Sequence, residues 1–118
     1  MEQTEASEWV ERYTRAWEGN DPREIGDLFT DDALYYTAPF REPWRGRDEI
    51  VAGWLDRKDE PGRWQFTYEV LAIAGDLGFV QGRTIYSDPP MSYANLWVIC
   101  LGPGGRCRQF TEWWMEEN

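Results

Sequence analysis

Apolar side chains recur at helical spacing in the first part of the chain, with charged side chains between them. The spacing predicts an amphipathic helix over residues 4–18, whose apolar face consists of Trp9, Val10, Tyr13, Ala16 and Trp17. Asp21 and Pro22 have the residue types of a helix N-cap and a first helical position, so a short second helix is expected there. A third helix is expected after an Asp48 cap, with a buried stripe made of Ile50, Val51, Trp54 and Leu55.

The pattern changes from helix to strand in the second half of the chain. Aromatic and β-branched residues dominate residues 64–73, 79–87 and 93–101, and short segments rich in Gly or Pro separate them. A shorter strand is predicted over residues 34–38. Helices followed by long antiparallel strands predict a single α+β domain over residues 1–118, in which a curved antiparallel sheet packs on N-terminal helices.

The last two predicted strands form a β-hairpin around a Gly/Pro turn at residues 102–105. Placing Leu101 opposite Arg106 sets the register and pairs Asn95 with Glu112. Side chains alternate across a strand, so one face of the hairpin is predicted to carry Asn95, Trp97, Ile99, Arg108, Phe110 and Glu112. An amide and a carboxylate beside two aromatic rings are typical of a pocket wall.

Tryptophan is unusually abundant, with eight residues in a chain of 118. Large flat side chains in this number allow two interpretations. They fill a small core, or some of them line a cavity for a ligand. Composition does not separate the two.

Acidic residues outnumber basic residues by 22 to 12, which gives a formal net charge of −10. Nucleic acids and anionic membranes require basic surfaces, so neither is an expected partner. No apolar run approaches the roughly 20 residues of a membrane span. The N-terminal segment also lacks the charged and apolar regions of a signal peptide, and we therefore expect a cytoplasmic protein.

The sequence contains no histidine, which excludes Ser-His and Cys-His catalytic arrangements and disfavours a zinc site. We predict neither a metal nor a cofactor, and acid–base chemistry would depend on Asp, Glu, Tyr or water held by Arg. Cys100 and Cys107 are predicted to be cross-strand neighbours. A disulfide between them is geometrically feasible, whereas two buried thiols fit a reducing cytoplasm, and both alternatives remain open.

Several segments spread over essentially the whole chain carry a family resemblance. They are Arg12-Tyr13 to Trp17, Asn20-Asp21, Leu28 to Ala33, Pro43 to Ile50 and Gly105 to Trp113. Their order and spacing resemble the SnoaL-like family of the nuclear transport factor 2-like superfamily. The resemblance implies a cone-shaped α+β fold (the cystatin-like α+β barrel) around a ligand-binding pocket. It also implies a homodimer formed through the outer sheet face, here Leu96, Val98, Thr111 and Trp113.

The resemblance says less about function, because the superfamily includes isomerases, cyclases, hydrolases and non-catalytic binders. In the ketosteroid isomerase pattern, Tyr13 matches a helix tyrosine and Asn95 matches a hydrogen-bond donor. Thr37 stands where that pattern has its catalytic base, and a hydroxyl does not take an α-proton at useful rates. Steroid isomerisation of that type is therefore disfavoured.

Two further patterns of the superfamily involve Glu112. In the limonene epoxide hydrolase pattern, Arg83 and Glu112 match two members of an Asp-Arg-Asp set, but Ile85 replaces the second acid. In the polyketide cyclase pattern, a single acid faces an aromatic cavity, and Glu112 fits if the surrounding rings raise its pKa. A buried ion pair between Arg83 and Glu112 with a purely structural role is the competing interpretation.

The prediction that follows is a small-molecule-binding protein with an aromatic-lined pocket for an apolar or cyclic ligand. The alternative is a cofactor-independent enzyme, an isomerase, cyclase or hydrolase, that uses Glu112 as an acid or base. The predicted catalytic residues are Glu112 and Arg83. The predicted ligand-binding residues are Tyr13, Trp17, Tyr36, Trp54, Asn95, Trp97, Phe110 and Trp114.

Overall fold

A computed structural model describes residues 1–117, which form helices and strands in the expected order. The helices are α1 (Gln3–Gly19), α2 (Pro22–Asp27) and α3 (Arg47–Asp56). The strands are β1 (Phe29–Tyr36), β2 (Trp44–Arg45), β3 (Trp64–Ala74), β4 (Leu77–Ser87), β5 (Pro90–Leu101) and β6 (Cys107–Glu116). A 3₁₀ turn, Pro103–Gly105, joins β5 to β6. No helix within these residues is both long enough and apolar enough to cross a lipid bilayer.

The strands form one sheet in the order β2-β1-β6-β5-β4-β3. Strands β3 to β6 pair with their neighbours in antiparallel fashion, as do β1 and β2, whereas β1 and β6 are parallel. The predicted α+β class with a curved sheet is confirmed. The sheet does not close into a complete barrel, because β2 and β3 remain as its two edges.

Of the two shorter helices, α2 begins at its predicted cap and α3 does not. The Asp21 carboxylate accepts a hydrogen bond from the backbone N–H two residues further on, at 2.9 Å, as expected of an N-cap before Pro22. The predicted Asp48 cap of α3 is wrong, because Gly46 holds the N-cap position with no side-chain hydrogen bond. Its φ of 83° lies in the region that glycine adopts readily, so the backbone itself turns into the helix there.

The core lies between α1 and the inner face of the sheet. Trp9 is fully buried, and its ring centroid is 6.0 Å from that of Phe29 and 5.9 Å from that of Phe110. Its indole N–H donates to the Leu28 carbonyl oxygen at 3.0 Å, so the one polar atom of the ring is satisfied. Removing a ring of this size from water buries on the order of 200 Å², worth about 5 kcal/mol.

The register of the last hairpin differs from the predicted one by two residues. Glu112 lies opposite Trp97, and Asn95 lies opposite Trp114. Because side chains repeat every two residues along a strand, an even shift leaves each of them on its predicted face. The inner face therefore still carries Asn95, Trp97 and Glu112 together.

Arg108 is the exception, and its predicted position on the inner face is wrong. Leu101 pairs with Cys107 and Cys100 pairs with Gln109, so Arg108 is the extra residue of a bulge. Its exposed guanidinium contacts the Asp76 carboxylate. The bulge also separates the two cysteines from the direct pairing that was predicted, and both are buried free thiols.

Candidate functional site

A cavity of about 590 Å³ lies between the concave face of the sheet and the helices, and it opens to solvent. α1, the end of α3 and residues 57–59 form one side of it. The sheet strands and residues 35–44 form the other. Its lining residues are Tyr13, Trp17, Tyr35, Thr37, Trp44, Trp54, Arg57, Lys58, Asp59, Thr84, Tyr86, Asp88, Pro89, Met91, Tyr93, Asn95, Trp97, Glu112 and Trp114.

Glu112 is held in this cavity through one of its two carboxylate oxygens. The Asn95 side-chain N–H donates to Oε2 at 2.9 Å, and the Trp97 indole N–H donates to the same atom at 3.0 Å. Asn95 is itself oriented by Thr84, whose hydroxyl donates to the Asn95 amide oxygen at 2.8 Å. No residue in the described part of the chain donates a hydrogen bond to Oε1 of Glu112.

Burial raises the pKa of the Glu112 carboxyl above its ordinary value, and the two donated hydrogen bonds oppose that change. The negative charge of Asp59 adds to the increase. The net direction is upward because neutral N–H donors stabilise the carboxylate but do not replace the water that burial removes. A carboxyl in this state is better able to hold or exchange a proton than an exposed one.

Two tyrosine hydroxyls, one from α1 and one from β1, meet at the cavity. The Tyr13 and Tyr35 oxygens are 2.8 Å apart, and both side chains are buried. Burial raises the pKa of both phenols, and the negative charge of Glu112 contributes to the increase. Both groups are therefore neutral near physiological pH and serve as hydrogen-bond donors and acceptors.

Asp59 supplies a second carboxylate to the cavity from the segment after α3. Its Oδ2 accepts from the Trp17 indole N–H at 2.9 Å and from the Tyr86 hydroxyl at 2.9 Å. The Asn20 side-chain N–H donates to the Asp59 backbone oxygen at 3.1 Å and fixes the segment against the end of α1. This negative charge is the second-largest cause of the raised pKa of Tyr86, after burial.

Comparison with known proteins identifies the family. The profile of the SnoaL-like domain matches residues 10–115, which is most of the chain. This chain belongs to the SnoaL-like domain family. Among proteins of curated function, none matches its sequence significantly.

Solved structures similar to this SnoaL-like domain support the fold assignment. A nuclear transport factor 2-like protein of unknown function from Burkholderia xenovorans has a TM-score of 0.75 at 16% identity, over 98% of this chain and 86% of that one. A candidate ketosteroid isomerase from Kribbella flavida has a TM-score of 0.74 at 19% identity, over 98% and 82%. A ketosteroid isomerase-like protein from Erwinia carotovora has a TM-score of 0.69 at 17% identity, over 98% and 97%. At these identities the likeness extends to the fold alone.

Most of the side chains predicted as site residues lie together along the cavity of the SnoaL-like domain. They are Tyr13, Trp17, Trp54, Asn95, Trp97, Glu112 and Trp114. Tyr36 and Phe110 do not line it. Tyr35 takes the inward position that was predicted for its neighbour, because successive side chains of β1 point to opposite faces. Phe110 is fully buried in the core, with its ring centroid 4.5 Å from that of Tyr35.

Arg83 lies outside the cavity, and the predicted pair between Arg83 and Glu112 is wrong. Its neighbours Gly82 and Thr84 are buried, so the alternation of β4 turns Arg83 outward. Its guanidinium Nε donates to the Glu117 carboxylate at 2.8 Å. Glu112 therefore has no arginine partner within residues 1–117.

Sequence reasoning missed Asp59 and Tyr35 as members of the site. The alternation of burial along β1 identifies Tyr35 as an inward-facing residue, but the predicted strand began at residue 34 instead of Phe29. Asp59 lies in a segment without periodicity, so no sequence signal marked it. Within residues 1–117, no group of Cys, Asp and Glu side chains is placed to hold a metal ion.

Proposed function

We propose that this SnoaL-like domain binds a small, mostly apolar, cyclic molecule in the cavity, with Glu112 as the polar anchor. One observation carries the proposal. Glu112 lines an open, aromatic-walled cavity with one carboxylate oxygen fixed by two donors and the other without a donor in the described chain. A carboxylate oxygen that faces the cavity without a donor is suited to a hydrogen bond from a ligand.

The shape of the cavity supports the same proposal. Its volume of about 590 Å³ lies within the range of roughly 300–1,000 Å³ that is typical of sites for small molecules. The rings of Trp54 and Trp97 both contact the Tyr13 ring, with centroids 4.7 Å and 4.5 Å from it. Such walls favour a flat ligand that stacks against them.

Calorimetric titration with tryptophol, a neutral bicyclic alcohol, tests the proposal. We expect saturable binding at a stoichiometry of one per chain. Glu112→Gln is expected to change the affinity by no more than about tenfold, because the amide retains a hydrogen-bonding oxygen. Glu69→Gln, an exposed position on β3, is the matched control and is expected to have no effect.

Native mass spectrometry of the purified protein provides an independent search for a retained ligand. Absence of both tryptophol binding and any retained molecule would contradict the proposal.

A second candidate function is acid–base catalysis by Glu112, as an isomerase or a cyclase. The raised pKa of Glu112 beside the Tyr13–Tyr35 hydroxyl pair favours it. The position of Arg83 outside the cavity argues against the epoxide hydrolase arrangement, which requires an arginine between its acids. If the domain is an enzyme, Glu112→Gln abolishes turnover while retaining ligand affinity. Unchanged turnover in that variant would refute the role of Glu112.

We also propose that two copies pair through the outer face of the sheet. That face carries the exposed apolar side chain of Trp113, which is 42% exposed, beside the half-buried Leu96 and Val98. Sedimentation equilibrium is expected to show a dimer that Trp113→Lys converts to a monomer. Gln65→Lys, an exposed polar position on the edge strand β3, is expected to leave the dimer intact. A monomeric parent protein at high micromolar concentration would contradict this proposal.

A further inference from the structure

Three carboxylates line the cavity, Asp59, Asp88 and Glu112. Asp88 lies 3.6 Å from Arg63, whereas no cation of the described chain neutralises Asp59 or Glu112. Glu112 and Asp59 each accept two hydrogen bonds through a single oxygen, and all four donors are uncharged N–H or O–H groups. Neither acid forms an ion pair with Arg or Lys anywhere in residues 1–117. Negative charge in a partly desolvated site is usually balanced by a paired cation or a metal.

The charge of Asp59 also acts on Glu112. The charge of Asp59 is one of the causes of the raised pKa of Glu112, after burial. The charge of each acid likewise raises the pKa of Tyr86. A positive charge placed in the cavity attracts both carboxylates and offsets the repulsion between them.

The walls around the two acids are aromatic. Trp17, Trp54 and Trp97 line the cavity, and each of them lies within 6.1 Å of the Tyr13 ring, centroid to centroid. The faces of such rings carry partial negative charge and attract a cation, with Trp the strongest. An indole-walled cavity with two carboxylates that lack a basic partner within the described residues therefore favours an organic cation over a neutral molecule of the same shape.

The nearest basic residues do not remove this preference. Arg57 and Lys58 line the cavity but are exposed, so their charges are solvated and screened. The Arg57 guanidinium carbon lies 5.9 Å from the centroid of the Trp44 ring, where it contacts the ring rather than either acid.

We propose that the natural ligand of the cavity carries a protonated amine on a cyclic or aromatic body, with the ammonium group bound by Glu112 and Asp59 and enclosed by indole rings. This inference rests on the proposed small-molecule function and narrows it to one class of ligand. It also assigns a binding role to Asp59, a residue without any sequence signature.

Three probes of matched shape and different charge test the inference. Tryptamine, tryptophol and indolepropionate share the indole ring and two-carbon arm and end in an ammonium, a hydroxyl and a carboxylate, respectively. In calorimetric titrations near neutral pH and at low salt, we expect tryptamine to bind about tenfold more tightly than tryptophol. Indolepropionate is expected to bind most weakly.

Carboxamide variants connect the preference to the two acids. Asp59→Asn and Glu112→Gln are each expected to reduce the ratio of tryptamine to tryptophol affinity several-fold. The amide oxygen retains the hydrogen bonds from neighbouring donors, and circular dichroism verifies that each variant is folded. Glu69→Gln is the control that removes an exposed charge outside the cavity, and it is expected to leave the ratio unchanged.

The possible outcomes separate this inference from the function on which it rests. Equal binding of tryptamine and tryptophol, or tightest binding of indolepropionate, overturns the amine preference and leaves small-molecule binding intact. A tryptamine preference that survives in both carboxamide variants overturns the assignment to Asp59 and Glu112. Failure of all three probes at millimolar concentration, together with the absence of any retained molecule in native mass spectrometry, overturns the inference and the proposed function.

Discussion

The buried hydroxyl pair of Tyr13 and Tyr35 provides a quantitative test of the site geometry. Replacing either tyrosine by phenylalanine removes one oxygen and keeps the ring, so stacking against Phe110 is retained. The two oxygens are 2.8 Å apart, with the two residues only 6% and 5% exposed. The substitution therefore isolates the hydrogen bond from the packing.

The expected magnitude follows from what each variant leaves behind. A single Tyr→Phe change loses a net hydrogen bond worth about 1 kcal/mol and leaves the other hydroxyl short of a partner, which costs about 1–3 kcal/mol more if no water replaces it. Because the pair borders an open cavity and water has access, we expect about 1–2 kcal/mol for either single variant. The double variant has no orphaned hydroxyl, so its loss of stability is expected to be smaller than the sum by about 1 kcal/mol.

Urea unfolding followed by far-ultraviolet circular dichroism measures the free energy of unfolding of four proteins, which together form a double-mutant cycle. They are the parent, Tyr13→Phe, Tyr35→Phe and the double variant. Each kcal/mol corresponds to a midpoint temperature change of about 4 °C in a domain of this size, so thermal scans give a second estimate. Tyr36→Phe is the control, because Tyr36 does not line the cavity, and it is expected to change stability by less than about 0.5 kcal/mol. Strict additivity of the two single variants would refute a direct interaction between the hydroxyls.

Two further predictions concern stability. Burial raises the pKa of folded Glu112 above its ordinary value of 4.5, so ionisation above that pH favours the unfolded chain. Glu112→Gln is therefore expected to gain stability relative to the parent as pH rises from about 4 to neutrality, and a pH-independent difference in unfolding free energy would contradict this. A Cβ at Gly53 would lie 2.4 Å from the Trp44 ring, so Gly53→Ala is expected to cost about 1–3 kcal/mol in urea unfolding. Gly19→Ala, whose nearest contact is 3.8 Å away, is the control, and equal effects of the two alanines would disprove the close packing at Trp44.

The inner face of the last hairpin shows why face assignments are easier to predict than register. Asn95, Trp97 and Glu112 were predicted to share a face from a register that is wrong by two residues. The face assignment is still correct, because side-chain direction repeats every two residues along a strand. Arg108 was misplaced because a bulge adds one residue to β6, and nothing in the sequence distinguishes that residue from its neighbours.

Arg83 and Asp59 show two different limits of prediction from sequence, a wrong assignment and a missed residue. Arg83 was assigned from a family pattern, although the alternation of β4 requires it to face away from the buried Thr84. Asp59 enters the site only because the tertiary fold brings Trp17 and Tyr86 to the same carboxylate oxygen. Contacts between a loop, a helix and a strand leave no periodic trace along the chain, so the second acid of the site was not predictable from the residues alone.

The position of β6 has a consequence for synthesis of the protein. β6 lies between β1 and β5 and pairs Tyr35 with Phe110, residues that are far apart along the chain. A nascent chain on the ribosome that still lacks β6 leaves two strand edges unpaired and several indole rings in water. We therefore expect the sheet to assemble late, with chaperone contact beforehand, because its central strand is the last to emerge.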